Sequence, residues 1–457
     1  TSDGAITAGK PVIVEADGDF AEIVATSGLG TTTEDVDTSF TYWHNGTSDN
    51  DGTFVLAYRG ASNYGNALVV TISGTTLTIG TPTVFESSTS NYETISYDTV
   101  ADKYLICWQD HSDTSLWGIV GTVSGTTISF GTKSEGDSDC AYKNVSSAWD
   151  EDAEKHWVIY HNASQIDAII ATVSGTSISW GTSQSIASGL GANPDEANIV
   201  YNTNSNVAII AWTMSDSDNI FVIGGTVSGT TMTFGSSVSF TGDTELSNNV
   251  PNAMCYNNDG PNVLINYTKN ASSGSDYDIY TRYITNSGTT LTVAAESSAI
   301  TEGRHNRLIS TSAGNCLMIY KDYNSPYDVN IRTGAIGASS VTWSDAIPIE
   351  EAGNSDRDVA VYNSGGNNCL LGWLGDGDDL ALRAYLVSGT NLTAENYIGI
   401  AKATVADATA VEVTTVGGAD NQQSSLTPGQ LYYVQEDGTL ALTPDTTSVI
   451  AGTALSA

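Results

Sequence analysis

Glu93-Thr94-Ile95-Ser96-Tyr97, Lys103-Tyr104-Leu105-Ile106-Cys107-Trp108, Leu116-Trp117-Gly118-Ile119-Val120-Gly121-Thr122-Val123 and Thr127-Ile128-Ser129-Phe130 follow one another with only Asp-, Gly- and Ser-rich breaks between them. Apolar residues alternate within each run, and each run is of strand length and too short for most helices. Residues 93–131 therefore predict four antiparallel strands. The same cassette recurs. An aromatic residue closes a short apolar run at Tyr58, Trp108, Tyr160, Trp212, Tyr267, Tyr320 and Trp373, at spacings of 50 to 55 residues. A second series keeps step with it: Ser73-Gly74-Thr75, Ser124-Gly125-Thr126, Ser174-Gly175-Thr176, Ser228-Gly229-Thr230, Ser287-Gly288-Thr289, the degenerate Gly337-Ala338-Ser339-Ser340, and Ser388-Gly389-Thr390.

A period of about 50 residues holding four strands is the signature of a β-propeller blade, whereas helical arrays of similar period show 3.6-residue patterning. The expected fold is all-β, a seven-bladed β-propeller over residues 36–397. Tyr97, Trp149, Tyr201, Tyr256 and Tyr362 each stand 11 residues before a marker aromatic. They are expected to pack between neighbouring blades as core, with stacking on a sugar as the alternative.

The ends carry a smaller repeat. Ile6-Thr7-Ala8-Gly9-Lys10-Pro11-Val12-Ile13-Val14 through Asp17-Gly18-Asp19-Phe20 reads like Leu426-Thr427-Pro428-Gly429-Gln430-Leu431-Tyr432-Tyr433-Val434 through Asp437-Gly438-Thr439-Leu440. Asp-Gly between alternating runs is a hairpin signal. Residues 1–35 and 398–457 are expected to form one small β module, because a closed ring brings its two ends together.

With 52 acidic residues against 15 Lys and Arg, the formal charge is -37. That charge repels phosphate backbones and anionic membranes, so nucleic acid is excluded as a partner. No segment has the run of about 18 apolar residues that a membrane helix needs. The acids are scattered through loops, which fits a solvated surface screened by salt. The five cysteines show no paired spacing and read as buried free thiols, compatible with assembly in a reducing cytoplasm. The chain starts at Thr1, without a Met or a legible secretory leader.

Asn396-Tyr397-Ile398-Gly399-Ile400-Ala401, Gly417-Gly418, the hairpin from Ser425 to Leu440 and the ending Ser448-Val449-Ile450-Ala451-Gly452-Thr453-Ala454-Leu455-Ser456 resemble the C-terminal module of tail-fibre and other virion proteins of marine tailed bacteriophages, especially cyanophages. The blade phrase Gly121-Thr122-Val123-Ser124-Gly125-Thr126-Thr127-Ile128-Ser129-Phe130-Gly131-Thr132 is similar to repeats in those proteins. The resemblance covers nearly the whole chain and is specific for a virion component, less so for which appendage. It implies homo-oligomeric assembly with other virion proteins at the particle surface and attachment to a host, and it carries no catalytic motif.

Catalytic signatures are lacking in the sequence. His44, His111, His156, His161 and His305 form no metal or catalytic spacing, and the sialidase-type Asp box does not occur. Two carboxylates from different blades would still suffice for a glycosidase, since only their separation in space matters. The loops after the second strands are the expected recognition surface. Their candidates for glycan or receptor binding are Tyr64, Asp110, His111, Asn162, Asp218, Tyr277, Tyr323, Asn324 and Tyr327, rings that stack on a sugar face beside polar atoms that bond its hydroxyls. Asp49 and Asp51, with Asp376 and Asp378, are weak calcium candidates, carboxylates without the rest of an EF-hand loop. The expected function is a non-enzymatic virion appendage that attaches to host cell-surface glycan. A purely structural head or tail decoration and a polysaccharide depolymerase are the alternatives.

Overall fold

The structure is a computed structural model. It describes all residues except 16, 24, 34–35, 38–41, 141–143, 163–164, 188–193, 215–216, 242–243, 246–252, 258–259, 261, 271–276, 298–299, 301–302, 312–313, 323–327, 351–357, 375–378, 391, 394, 416, 436–437, 445–448 and 457. For a few strand residues, among them 42–44, 217–218, 277 and 304–305, the backbone alone is described. The chain is all-β: the described residues form strands joined by turns, with one short 3-10 segment at Ala61–Asn63. Two compact units result, one from Leu29–Tyr385 and one from Thr1–Gly28 with Leu386–Ala457.

In the larger unit each cassette becomes an antiparallel meander. In the second, the strands are Thr83–Asp98, Lys103–Asp110, Leu116–Ser124 and Thr127–Phe130, close to the runs legible in the sequence. The Ser-Gly-Thr turns work as II′ hairpins: Gly74, Gly125, Gly175, Gly229 and Gly288 hold φ between 57° and 63° at the first loop position, where a side chain is strained. The four-strand expectation misses one piece. The third strand is about twice as long as the fourth, so half of its outer edge is left over after the hairpin. A returning segment fills that half, as Ser134–Asp137 does beside Leu116–Ser124 and Gln184–Ala187 beside Gln165–Ser174.

The marker aromatics are at most 2% exposed. They sit in apolar clusters that join consecutive cassettes, such as Trp157, Ile159 and Ile170 with Ile199, Ile210 and Trp212. One cluster joins the first cassette to the last: Phe54, Leu56 and Leu68 pack with Val359, Leu370 and Leu382. The first strands also meet in succession, Tyr42–Ser48, Thr83–Asp98, Val145–Asp150, Pro194–Asn202, Met254–Tyr256, Gly303–Ser310 and Val359–Asn363, and the last of these lies against Tyr42–Ser48.

In the first four cassettes a glycine follows the fourth strand, at Gly80, Gly131, Gly181 and Gly235, and fastens one cassette to the next. A Cβ on Gly80 would stand 2.0 Å from the carbonyl oxygen of Thr126, and one on Gly131 would stand 2.1 Å from that of Thr176. Gly30 holds the same relation to Thr75, at 2.3 Å, although no cassette precedes the first. The explanation is strand exchange across the chain: Gly30, Thr33 and Val36 pair with Ala384, Leu382 and Leu380, so the outer edge of the last sheet comes from the beginning of the sequence. Gly80→Ala should cost about 1–3 kcal/mol, the range for overpacking against atoms that cannot move aside, read as a lower denaturation midpoint.

In the smaller unit Pro11–Val14 pairs with Phe20–Glu22 and with Tyr397–Ala401, which pairs in turn with Val413–Thr414. Leu431–Val434 pairs with Leu440–Ala441 and Val449–Thr453. Ile13, Ala21 and Ile23 pack with Leu392, Val434 and Val449.

Candidate functional site: an aromatic-lined inner cavity

Within the larger unit, the residues 11 positions before each marker lie near the ends of the first strands and line the space those strands enclose. They are Thr47, Tyr97, Trp149, Tyr201, Tyr256, Ile309 and Tyr362. Two adjoining cavities open there. One of ≈ 330 Å³ is walled by Tyr97, Trp149, Tyr201 and Tyr256. The other, of ≈ 390 Å³, is walled by Tyr256, Ile309 and Tyr362. Gly46, Thr47, Ser48 and Val200 border both, and these small side chains leave the room. Tyr201 belongs to the buried core that joins two cassettes, as expected, and Tyr97 and Tyr256 pack against such clusters, while all five rings also border the cavities. Tyr97, Trp149, Tyr256 and Tyr362 are half-buried, while Tyr201 is 5% exposed.

Their polar ends are held by nearby turns. Tyr97 Oη donates to Asp102 Oδ1 at 3.0 Å, and Tyr362 Oη donates to Asn367 Oδ1 at 2.8 Å. Across to the preceding cassette, Trp149 Nε1 donates to Thr99 Oγ1 at 3.1 Å and Tyr201 Oη to Asp152 Oδ2 at 2.9 Å. The rings are therefore set before any ligand arrives. Burial, and after it the bond to Asp102, pushes the Tyr97 phenol up to about 12, and burial does the same for Tyr362, so both stay neutral hydrogen-bonding groups.

After four of the aromatics the next residue braces its turn. Asp98 Oδ1 accepts the amides of Val100 and Ala101, Asp150 Oδ1 that of Ala153, Asn202 Oδ1 that of Asn204 and Asn363 Oδ1 that of Gly365. In the first cassette Ser48 Oγ accepts the amide of Asn50, while Asp49 Oδ1 accepts those of Asp51 and Thr53. Asp49 is spent on turn chemistry. Among the described residues no group of three or more His, Cys, Asp or Glu side chains gathers as a metal ion requires, and Asp376 and Asp378 lie outside the described residues. Exposed carboxylates at Asp51, Asp102, Glu151 and Glu154 make this mouth of the cavity acidic.

Deeper in, Asn45 Nδ2 donates to Thr94 Oγ1 at 3.3 Å, and Thr94 Oγ1 lies 3.0 Å from Ser147 Oγ, a polar chain crossing three cassettes. His156 Nδ1 lies 2.8 Å from Ser96 Oγ and its Nε2 3.8 Å from Asp98 Oδ2. Burial holds this imidazole below its ordinary value despite Asp98. For Asp98, burial acts upward, but bonds from His156 and the turn amides outweigh it and hold the carboxyl below the usual range.

The loops expected to carry recognition stand at the other end of the first strands, since Tyr97 pairs with Tyr104 but Ser90 with Asp110. Tyr64 is 36% exposed. Asp110 is 4% exposed and accepts from Ser112 and Ser88. His111 is exposed, with Nδ1 3.4 Å from Asn91 Nδ2. Asn162 donates to Asp167 Oδ2. Asp110 and Asn162 thus fasten their own cassettes. Asp218 and Tyr277 are described by backbone alone, at Ser217–Ser228 and Tyr277–Ser287. Tyr323, Asn324 and Tyr327 lie outside the described residues.

At that same end, a bulge between Asn91 and Thr94, with Tyr92 at φ 58°, turns Glu93 inward. Arg59 Nη1 donates to Asn91 Oδ1 at 2.6 Å, and Asn91 Nδ2 donates to Gln109 Oε1 at 3.0 Å. Glu93 is 1% exposed, and burial raises its carboxyl to about 7 against the bond from Ser90 and the charge of Arg59. A carboxyl raised in the folded state favours folding while protonated. Its contribution is complete below the unfolded value of 4.5 and is lost as pH rises through about 7, a span of about 3 kcal/mol. Glu93→Gln should remove that part of the pH dependence, leaving the variant more stable than the parent at pH 8 and little changed at pH 4. Denaturation series at the two pH values check it.

No family model matches the chain, and no curated protein matches it. Among solved structures it is similar to the SapL1 lectin in complex with alpha methyl fucoside, at 10% identity over 69% of this chain and 99% of that one, with TM-score 0.43. It is similar to the intramolecular trans-sialidase from Ruminococcus gnavus at 10% identity over 77% and 95%, TM-score 0.43. The periplasmic gluconolactonase of Pseudomonas aeruginosa gives 10% identity over 79% and 96%, TM-score 0.43. At this level neither a ligand nor a reaction transfers to the chain.

Proposed function

We propose that residues 29–385 form a seven-bladed β-propeller whose inner cavity binds a neutral glycan without cleaving it, and that the chain is a virion appendage, a tail-fibre or related surface protein, attaching to host cell-surface glycan. The observation that carries the glycan reading is the set of five aromatic side chains around the inner cavity, four of them half-buried and four held by hydrogen bonds at their polar ends. Rings fixed in advance offer stacking area without an ordering cost on binding. The acidic mouth disfavours sialylated or uronate-bearing chains, which leaves neutral or amino sugars. The propeller reading is supported by the succession of first-strand contacts from the first cassette to the last. The virion reading rests on the likeness of residues 396–456 and of the blade phrase 121–132 to phage fibre proteins, and on the charge of -37.

The test is binding of the isolated protein to intact and envelope-stripped cells of marine bacteria in seawater salts, with reducing ends assayed over long incubation. Saturable binding that stripping abolishes and neutral oligosaccharides compete supports the proposal. Release of reducing ends would replace attachment by depolymerisation, and absence of binding to any cell would leave a purely structural decoration.

A further inference from the structure

The two adjoining inner cavities differ in chemistry. The one walled by Tyr97, Trp149 and Tyr201 is also lined by Asn45, Ser96 and Ser147, side chains of the kind that bond sugar hydroxyls. The one walled by Tyr256 and Tyr362 is lined instead by Met254, Leu308, Ile309 and Val361. Tyr256 borders both.

Ile309 accounts for much of the contrast. It occupies, in the sixth cassette, the position that Tyr256 holds in the fifth and Tyr362 in the seventh. A branched aliphatic chain there is shorter than a phenol and brings no hydroxyl, so it leaves an apolar notch flanked by two rings. Among the aliphatic residues of this wall Ile309 presents the most surface: it is half-buried, while Val361 is 6%, Met254 5% and Leu308 0% exposed.

Polar groups around the notch are already engaged. Ser310 Oγ donates to the carbonyl of Tyr256, Tyr362 Oη donates to Asn367 Oδ1 at 2.8 Å, and Asn50 Oδ1 accepts the amide of Ser364 at 3.3 Å. Thr47 and Ser48 border both cavities and offer hydroxyls to a ligand that spans them. A sugar hydroxyl turned toward Ile309 would give up water and gain no partner, whereas a methyl group in the same place loses no hydrogen bond and buries apolar surface.

We infer that the second cavity is a subsite for a 6-deoxyhexose, whose methyl group enters the notch at Ile309 between Tyr256 and Tyr362 while the neighbouring unit of the glycan lies in the first cavity. This rests on the reading of the inner cavity as a glycan site. A methyl at C5 is the one group of a hexose ring that projects without a hydroxyl, which is what the notch demands. An acetamido group also ends in a methyl, but it brings an N–H and a C=O that would both need partners. Selection therefore works by the absence of one hydroxyl, and an apolar pocket rejects a hydroxyl-bearing isostere by up to about 100-fold.

The test titrates the full chain by ligand-observed NMR with methyl glycosides in matched pairs, fucose with L-galactose, rhamnose with L-mannose and quinovose with glucose, and with N-acetylglucosamine beside them. At least one deoxy sugar is expected to bind about 10- to 100-fold more tightly than its partner. Ile309→Thr and Ile309→Val have the same shape and both suit a strand, so folding affects them alike. The Thr variant, which supplies a hydroxyl at the notch, should bring the ratio below about threefold, and the Val variant should keep it. Trp149→Ala, in the other cavity, should also leave the ratio in place. Equal binding within each pair overturns the inference while the glycan reading stands, as does tighter binding of N-acetylglucosamine than of any deoxy sugar. A preference that survives Ile309→Thr overturns it too, by placing the methyl elsewhere. If no sugar of the panel binds although cells do, the inference alone fails; if neither binds, the glycan reading fails with it.

Discussion

Trp212→Ala is expected to lower stability by about 3–5 kcal/mol, the range for truncating a large aromatic in a packed core. Trp212 is 1% exposed and lies among Ile170, Ile199 and Ile210, contributed by two cassettes. Its ring stacks on Phe221 with centroids 5.5 Å apart and planes 12° apart. The cavity left behind would have walls on both sides of a sheet-to-sheet interface, and neither sheet can close in without pulling its first strand out of line. Because a folded domain holds only about 5–15 kcal/mol in all, urea denaturation should show a clear fall in midpoint. A change below about 1 kcal/mol would mean that neighbouring sheets do not depend on this contact.

Trp149→Ala is expected to weaken glycan binding by roughly 10- to 100-fold while leaving the fold intact, a loss of about 1.5–3 kcal/mol. The ring is half-buried at the cavity wall and turned by its bond to Thr99. Its inner face also lies 4.7 Å from the imidazole of His156, so some stability is lost too, and the melting curve must be followed beside the binding isotherm. Trp149→Phe separates the effects: it keeps the stacking face and loses the bond to Thr99, so binding should fall only a few-fold. Equal binding by the parent and the Ala variant would move recognition away from the cavity, and Tyr64→Ala would then be the informative variant at the other end.

Much of the larger unit was legible because its strands are short apolar runs broken by turn residues. The runs around Trp108 and Trp212 are buried on both faces, and their length, with Gly at the II′ position of the Ser-Gly-Thr turns, leaves few readings besides strands. The returning segments were not legible, since Ser134–Asp137 is polar and short and pairs only because the third strand outruns the fourth. The contribution of residues 29–36 to the last sheet was hidden for another reason: an outer strand carries a weak pattern, and its partner lies some 350 residues away in the sequence. At the site, the 11-residue spacing did find the five aromatics. Alternation alone tells which residues share a face and not what covers it, so rings that both pack against the core and border a cavity read as core alone. In the loops, composition could not separate Asp110 and Asn162, whose polar atoms are engaged within their own cassettes, from side chains presented to solvent.

The pairing of Gly30, Thr33 and Val36 with Leu380, Leu382 and Ala384 also sets a timetable for biosynthesis. Domains fold as units while the chain emerges from the ribosome, and contacts between distant residues form last. Here the early segment must wait with its edge unsatisfied until nearly the whole array has been translated. Until then the sheets already formed present an open flank at each end. A nascent chain stalled before residue 380 should therefore be sensitive to proteases and prone to stick to its neighbours on the same message, and release past that point should end both at once.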